Sequence, residues 1–168
     1  MKRLWLIAFF SALAGAQNPS PPLFDKLSPA DLARGKSIYE SKGGCASCHI
    51  AGGTGTALGP ELTDIGAKRS ADYLKESLLK PGAQVPEQFM VVSATMRDGK
   101  TIRGERITED TFTIQIRDSA GRLHSLRKAE LAKFDKLPHQ SLMPSYESRF
   151  TAAELDDVVA YLATLRGE

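Results

Sequence analysis

Apolar residues recur at helical spacing near the carboxyl end of the chain, and this is its clearest periodic pattern. The repeating positions are Leu155, Val158, Val159, Leu162 and Leu165. A capping box over residues 151–154 precedes them, with a threonine followed three positions later by a glutamate. The pattern predicts a helix from residue 152 to about Arg166.

A second helix is predicted close to the start of the folded part of the chain. Ser28 can cap it, Pro29 suits the first helical position, and Asp31 places an acid in the first turn. These signals predict a helix over residues 29–42. Its apolar face would carry Leu32, Gly35, Ile38 and Tyr39.

Glycine is frequent in the segment that follows this helix. Residues 43–66 include Gly52, Gly53, Gly55 and Gly59. We therefore expect this segment to be mostly loop. A short helix is then predicted over residues 71–79, where Ser70 would cap its start and Pro81 would end it.

The period changes from helical to two between about residues 89 and 134. Apolar residues alternate with polar ones in two runs, which are Val92, Ala94 and Met96, then Phe112, Ile114 and Ile116. Each run indicates a half-buried strand. The turn signals Asp98-Gly99 and residues 118–121 separate the strands. We expect four or five antiparallel strands, inserted at about residues 91–136 into an otherwise mainly α fold.

The first sixteen residues have the pattern of a secretory signal peptide. Lys2 and Arg3 precede an apolar run over residues 4–13, and small residues follow at Ala14-Gly15-Ala16. A retained membrane anchor is the alternative, but the run is shorter than the ~20 residues that span a bilayer. Residues 17–27 contain three prolines and predict an extended linker. We therefore expect export to the periplasm, with no stable membrane insertion after cleavage of residues 1–16.

Charge and length narrow the class of protein. The chain has 168 residues, with 22 Lys and Arg against 20 Asp and Glu. Loss of residues 1–16 would remove Lys2 and Arg3 and no acid, which leaves a formally neutral chain. A neutral chain lacks the excess of basic residues that is typical of nucleic-acid binding, so we expect no nucleic-acid partner. The excess of basic residues within 91–136 could steer an acidic partner, although a solvated sheet face is the simpler interpretation.

Both cysteines of the chain stand in one short motif, Cys45-Ala46-Ser47-Cys48-His49. This Cys-x-x-Cys-His pattern is typical of covalent haem c attachment. Two thiols three positions apart can form thioethers with the two haem vinyl groups, and the adjacent imidazole of His49 can bind the iron. The motif therefore predicts one haem c, attached through Cys45 and Cys48.

Three other interpretations of the cysteines are open. A disulfide between residues three apart would close only a small loop and stabilise little. A thioredoxin-like pair would need a strand before it and a helix after it. Zinc would need further ligands, and the other histidines of the chain are His124 and His139. The signal peptide and the lack of other cysteines favour haem over all three.

From the motif onward the sequence resembles the class I cytochrome c family. The features that carry the resemblance are a helix ending in Cys45–His49, the step Gly59-Pro60, the step Met143-Pro144 and a closing helix. The resemblance implies a cytochrome c domain over residues 28–168, with a helical haem fold. It also implies that His49 and Met143 are the axial iron ligands, and that the Pro60 carbonyl accepts a hydrogen bond from His49. A metal-bound histidine normally has such a partner.

Met143 has rivals as the distal ligand. Met90 precedes the predicted sheet and is a weaker candidate, since an isolated methionine more often fills a core. Pro144 restricts Met143 to extended backbone conformations, which could hold its side chain at a fixed point. His139 is the second choice, and His124 is expected at the surface.

The predicted sheet departs from compact members of the family. In this respect the chain looks more like the haem-binding cytochrome c domains fused to dehydrogenase-like proteins in planctomycete and acidobacterial genomes. Those domains carry a similar Asp-Gly-Lys segment before Ser-Leu-Met-Pro, which here are residues 98–100 and 141–144. The expected fold is therefore a mainly α, cytochrome c-like domain with a small antiparallel β insert before the Met143 loop.

The resemblance implies an electron-transfer protein rather than an enzyme. It would pass single electrons from a periplasmic dehydrogenase to an oxidase or another cytochrome. A His/Met ligand pair favours this function, because the soft thioether stabilises reduced iron and both axial positions are filled. A haem enzyme or gas sensor with an open or displaceable distal site is the alternative.

Overall fold

The computed structural model describes residues 28–167. The predicted signal peptide, residues 1–16, and the predicted linker, residues 17–27, lie outside the described residues. Between residues 28 and 167, no helix combines the length and the apolar character needed to cross a bilayer.

Helix α1 covers Pro29–Glu40 and begins as its sequence signals predict. The Asp31 amide donates to the Ser28 hydroxyl at 3.3 Å, and the Ser28 amide donates to the Asp31 carboxylate at 2.7 Å. This reciprocal cap satisfies backbone donors that the first turn of a helix leaves free. The helix ends at Glu40 rather than at Lys42.

The glycine-rich segment contains more regular structure than expected. After a 3-10 turn at Cys45–Ser47, the short strands β1 (Ile50–Ala51) and β2 (Thr54–Gly55) pair antiparallel. Helix α2 (Ile65–Lys68) follows, and helix α3 (Ala71–Leu79) has the predicted bounds and the predicted cap. The two short strands could not be predicted, because two residues are too few to show a period.

Five further strands form one antiparallel sheet. They are β3 (Val91–Met96), β4 (Thr101–Glu109), β5 (Thr113–Arg117), β6 (Leu123–Arg127) and β7 (Leu131–Leu137). Their order in the sheet is β6-β5-β4-β3-β7. The predicted turns at Gly99 and Gly121 join β3 to β4 and β5 to β6, where the glycines adopt positive φ angles of 87° and 80°. Val91 pairs with Leu137, so the first and last residues of the segment that forms the sheet are neighbours.

The structure corrects the expected mainly α fold to a mixed one. Helix accounts for 34% of the described residues and strand for 26%. The sheet also has a core of its own, formed by Val92, Ala94, Ile102, Ile114 and Ile116. It is therefore a substantial packed unit rather than a minor addition to a helical fold.

Phe112 departs from the predicted strand pattern. The alternation places it on the buried face with Ile114 and Ile116, and both isoleucines are fully buried, but the Phe112 side chain is 77% exposed. Asp110 explains the difference, because its carboxylate accepts from the amides of Phe112 and Thr113, both at 2.7 Å. This turn leaves Phe112 outside β5.

Helix α4 covers Ala152–Thr164 and carries the predicted capping box between Thr151 and Glu154. It packs against α1 and α3. The buried residues of these elements form one cluster, which we call the helical core. Its members are Tyr39, Cys45, Ala71, Leu74, Leu78, Tyr146, Phe150, Leu155, Val158, Val159 and Leu162. The helix ends at Thr164 rather than at Arg166, so Leu165 lies just beyond it and is only partly buried, and the other periodic apolar positions are core positions, as the sequence predicts.

Helices α1 and α4 cross at Gly35 with almost no gap. A Cβ atom at this glycine would lie 2.0 Å from the Asp157 carbonyl oxygen and 2.9 Å from the Tyr161 Cβ atom. Tyr39, one turn further along α1, packs on Tyr161 with ring centroids 5.5 Å apart. Since only glycine fits at this contact, Gly35 determines how closely the two helices approach.

Many basic residues of the sheet are paired with acids. Glu109 is the centre of one cluster, with the amines of Lys128 at 2.8 Å and Lys136 at 2.9 Å and the guanidinium of Arg106 at 3.4 Å. Hydrogen bonds from these cations, led by Lys128, hold the pKa of Glu109 at about 2. The cluster favours a structural role for these cations over the steering of an acidic partner.

Replacing Gly35 with alanine should destabilise the protein by about 2 to 3 kcal/mol, because the added methyl group forces α1 away from α4. Chemical unfolding followed by circular dichroism measures the change. Ser37→Ala, on the exposed side of α1, is the control and should change the free energy of unfolding by less than about 0.5 kcal/mol. A more stable Gly35→Ala variant would contradict the close crossing, since alanine favours an isolated helix.

Glu109→Gln should lower the free energy of unfolding at pH 7 by about 1 kcal/mol. The folded pKa of Glu109, about 2, lies below its ordinary value of 4.5, so the stabilisation is present above pH 4.5 and is lost as the pH falls towards 2. Urea unfolding across this pH range measures the difference, with the exposed Glu130→Gln as control. A difference that persists in full at pH 2 would refute the ion-pair interpretation.

Candidate functional site

The two cysteines and the histidine of the motif lie on a single backbone turn. Gly44, with a φ angle of 60°, precedes the 3-10 turn Cys45–Ser47. The amides of Cys48 and His49 both donate to the Cys45 carbonyl, at 3.1 and 2.9 Å. Neither cysteine is in a disulfide. The turn therefore presents two free thiols and an imidazole from one short stretch of backbone.

Cys45 and Cys48 differ in exposure. Cys45 is 8% exposed and belongs to the helical core, whereas Cys48 is half-buried. Burial raises the pKa of the Cys45 thiol, and the Tyr146 hydroxyl acts in the opposite direction. Gly43 packs on the same sulfur, since a Cβ atom there would lie 3.0 Å from Cys45 Sγ. The core therefore fixes the position of the first thiol.

A backbone carbonyl orients the imidazole of His49. Its Nδ1 atom lies 2.7 Å from the Pro60 oxygen. Because a carbonyl can only accept, Nδ1 donates and the lone pair is on Nε2. Burial lowers the pKa of His49, although the hydrogen bond to Pro60 acts in the opposite direction. A neutral imidazole with its lone pair on Nε2 is a form that binds metal ions.

Residues 56–60, which we call the support loop, hold this ring in place. The amides of Leu58 and Gly59 donate to the Cys48 carbonyl at 3.0 and 2.7 Å. Gly59 lies against the imidazole, because a Cβ atom at this position would be 2.6 Å from His49 Cε1. Any side chain there would displace the ring. This role of Gly59 was not predicted, although a Gly-Pro step marks a constrained turn.

Met143 lies on a different segment, between β7 and α4. It is half-buried and packs against the helical core, to which Cys45 also belongs. Its amide donates to the Ser141 hydroxyl at 3.0 Å. Among the methionines of residues 28–167, Met143 is the one that packs against this core.

The other candidate ligands are placed differently. His139 is exposed. The imidazole of His124 is half-buried, with its Nε2 atom 2.9 Å from the Asp118 carboxylate. Met90 is half-buried next to the first strand of the sheet, where its carbonyl accepts from the Arg106 amide at 2.9 Å. Met143 therefore stays the predicted distal ligand, and its packing against the core that contains Cys45 is consistent with that prediction.

Tyr146 is a site residue that the sequence patterns did not identify. Its hydroxyl donates to the Gly43 carbonyl at 2.7 Å, and its ring stacks on Phe150 with centroids 4.7 Å apart. Burial raises the pKa of Tyr146 to about 12, so the hydroxyl keeps its proton and donates. The bond ties the segment after Met143 to the residues just before Cys45. No local pattern predicts it, because the two segments are far apart in sequence.

The donor set fits a covalently attached haem. Two free thiols are available for thioether bonds, an oriented imidazole presents Nε2, and the side chain of Met143 packs against the helical core. Imidazole and sulfur donors suit iron better than they suit a hard cation such as Mg²⁺. Within residues 28–167, no three His, Cys, Asp or Glu side chains cluster as the ligands of a metal ion would.

Comparison with known proteins gives a family match over the part of the chain that contains the cysteine motif. Residues 32–110 match the cytochrome c family. The matched range contains the cysteine motif and the support loop, and it ends before Met143. No curated protein matches the chain in sequence. Residues 32–110 are thus a cytochrome c family domain, with Cys45 and Cys48 spaced for covalent haem c, and a domain of this family implies haem-based electron transfer in general.

Proposed function

We propose that this protein is a monohaem c-type cytochrome that carries single electrons between redox partners in the periplasm. The observation that supports this most directly is the 2.7 Å hydrogen bond from His49 Nδ1 to the Pro60 oxygen. It orients an imidazole next to two free thiols, and a covalently bound, axially ligated haem requires this arrangement. In this function the protein is a carrier and not an enzyme.

Haem c, when bound, supplies an iron atom that exchanges one electron between its ferrous and ferric states. Cys45 and Cys48 would provide the two points of attachment, and His49 would bind the iron through Nε2. The Pro60 carbonyl accepts the hydrogen bond from Nδ1. This bond fixes the orientation of the ring and makes the imidazole a more basic ligand.

Met143 is the proposed second axial ligand. Its side chain packs against the helical core, of which Cys45 is a member, and Pro144 restricts its backbone to extended conformations. A thioether is a soft ligand that favours reduced iron. Binding by both His49 and Met143 would leave no position on the iron for O₂ or for a substrate. The exposed His139 has no comparable packing to hold it in place.

We propose a periplasmic dehydrogenase as the electron donor and an oxidase or another cytochrome as the acceptor. The signal-peptide pattern of residues 1–16 supports this location. Electron-transfer partners commonly meet through small and transient interfaces, so we expect short-lived complexes.

Protein exported through a c-type maturation pathway should carry one haem bound by two thioethers. Intact mass and the spectrum of the alkaline pyridine adduct measure this. Cys48→Ala should retain at most one thioether and shift that spectrum, because one vinyl group stays unreacted. Ser47→Ala, between the two cysteines, is the matched control and should keep both bonds. A mature protein whose mass includes no covalent haem would refute the proposal.

Met143→Ala should remove the weak long-wavelength absorption band that arises from sulfur bound to ferric iron. The ferrous variant should bind carbon monoxide at the vacated position, as absorption spectra will show. Met90→Ala is the matched control, since Met90 is also half-buried, and it should keep the band. If Met143→Ala leaves the ferric spectrum and carbon monoxide binding unchanged, the distal site is open or displaceable, as in a haem enzyme or gas sensor.

A further inference from the structure

The five-stranded sheet contacts the support loop through Arg117, the last residue of β5. The guanidinium of Arg117 donates to two successive backbone carbonyls of the loop, Ala57 at 2.9 Å and Leu58 at 3.3 Å. A guanidinium presents several N–H donors in a fixed plane, so one side chain can hold two carbonyls at once. The loop beside His49 is thereby bound to an element that supplies none of the proposed haem ligands.

Glu105 fixes the direction of the Arg117 side chain. The two residues are partners in the register between β4 and β5. The Nε and Nη2 atoms of Arg117 lie 3.1 and 2.6 Å from one carboxylate oxygen of Glu105. The Glu105 residue is only 4% exposed. A buried carboxylate needs such a partner, so the pair holds the guanidinium in one orientation.

A second contact joins the sheet to the same loop. The turn between β5 and β6 lies against Leu58, because a Cβ atom at Gly121 would be 3.3 Å from Leu58 Cδ2. The support loop is therefore held on its sheet side by two hydrogen bonds and an apolar contact. Its other side carries Gly59 and Pro60, which hold the imidazole of His49.

We propose that Arg117 and Glu105 are positioning residues for His49. The ion pair holds the support loop against the cysteine turn, and the loop holds the hydrogen bond from His49 Nδ1 to Pro60. This inference rests on the proposed function, in which His49 is an axial ligand. Groups that orient a metal-bound histidine tune the properties of the metal. The sheet would thus take part in setting the ligand geometry without touching the haem iron.

Hydrogen exchange in the haem-loaded, reduced protein tests this proposal. Arg117→Met removes both carbonyl contacts, so the Nδ1–H of His49 and the amides of Leu58 and Gly59 should exchange at least about tenfold faster. Amides within α4 should keep their exchange rates, because they open only when the helical core unfolds. Nuclear magnetic resonance measures both sets of protons in one sample.

Arg97→Met is the matched control. The guanidinium of Arg97 also donates to a backbone carbonyl, that of Ala129 at 2.9 Å, but this bond joins the turn after β3 to the 3-10 turn between β6 and β7. Because both turns lie outside the support loop, loss of this bond should leave the exchange of that loop unchanged. If Arg97→Met accelerates that exchange as much as Arg117→Met does, the effect comes from general loosening of the sheet and the proposal fails.

A second variant covers the case in which Arg117→Met leaves Glu105 unpaired and unfolds the sheet. Glu105→Leu combined with Arg117→Met removes both charges, and apolar replacement of a buried ion pair commonly preserves folding. The support loop should still exchange about tenfold faster than in the unmodified protein. The proposal is overturned if the support loop of the double variant exchanges at the same rate as in the unmodified protein, or if its exchange accelerates only as much as that of the α4 amides. Absence of covalent haem from the unmodified protein would instead count against the proposed function.

Discussion

Close contact between α1 and α4 at Gly35 is the constraint on which the rest of the structure depends. The Asp157 carbonyl occupies the space where any side chain at position 35 would lie, so the two helices approach at a fixed distance. The residues after α1 then enter the helical core at a defined point. The Tyr146 hydroxyl binds the Gly43 carbonyl, and Cys45 is buried immediately afterwards. A contact between two helices thus determines where the cysteine turn begins.

Two separate segments of the fold position His49. The cysteine turn fixes its backbone, and the support loop fixes its ring. The support loop lacks helix or strand, so its shape depends on what it is bonded to on either side. On one side it donates to the Cys48 carbonyl, and on the other it accepts from Arg117. The cysteine turn and the sheet therefore both bind the loop that orients the imidazole of His49.

Local features of this protein could be predicted from its sequence, and long-range ones could not. The caps at Ser70 and Thr151 and the haem attachment motif depend on residues within four positions of each other, which a single segment reveals. Phe112 was predicted wrongly, because a turn made by the preceding aspartate overrides the strand period. Glu105 lies on the face of β4 opposite to the sheet core, a face that alternation assigns to solvent, yet it is buried. Its partner Arg117 and their contact with the support loop depend on strand register, which no local pattern encodes.

The pairing of Val91 with Leu137 has a consequence for the path of the whole chain. Val91 and Leu137 are the first and last residues of the segment that forms the sheet, and they are neighbours. The distance between the points where the chain enters and leaves the sheet therefore does not depend on how many residues lie between them. The entropy of closing a loop grows only slowly with the number of residues in it. Strands could therefore be added beyond β6 without shifting the segment that carries Met143. An arrangement of this kind separates the size of an insertion from the placement of the residues on either side of it.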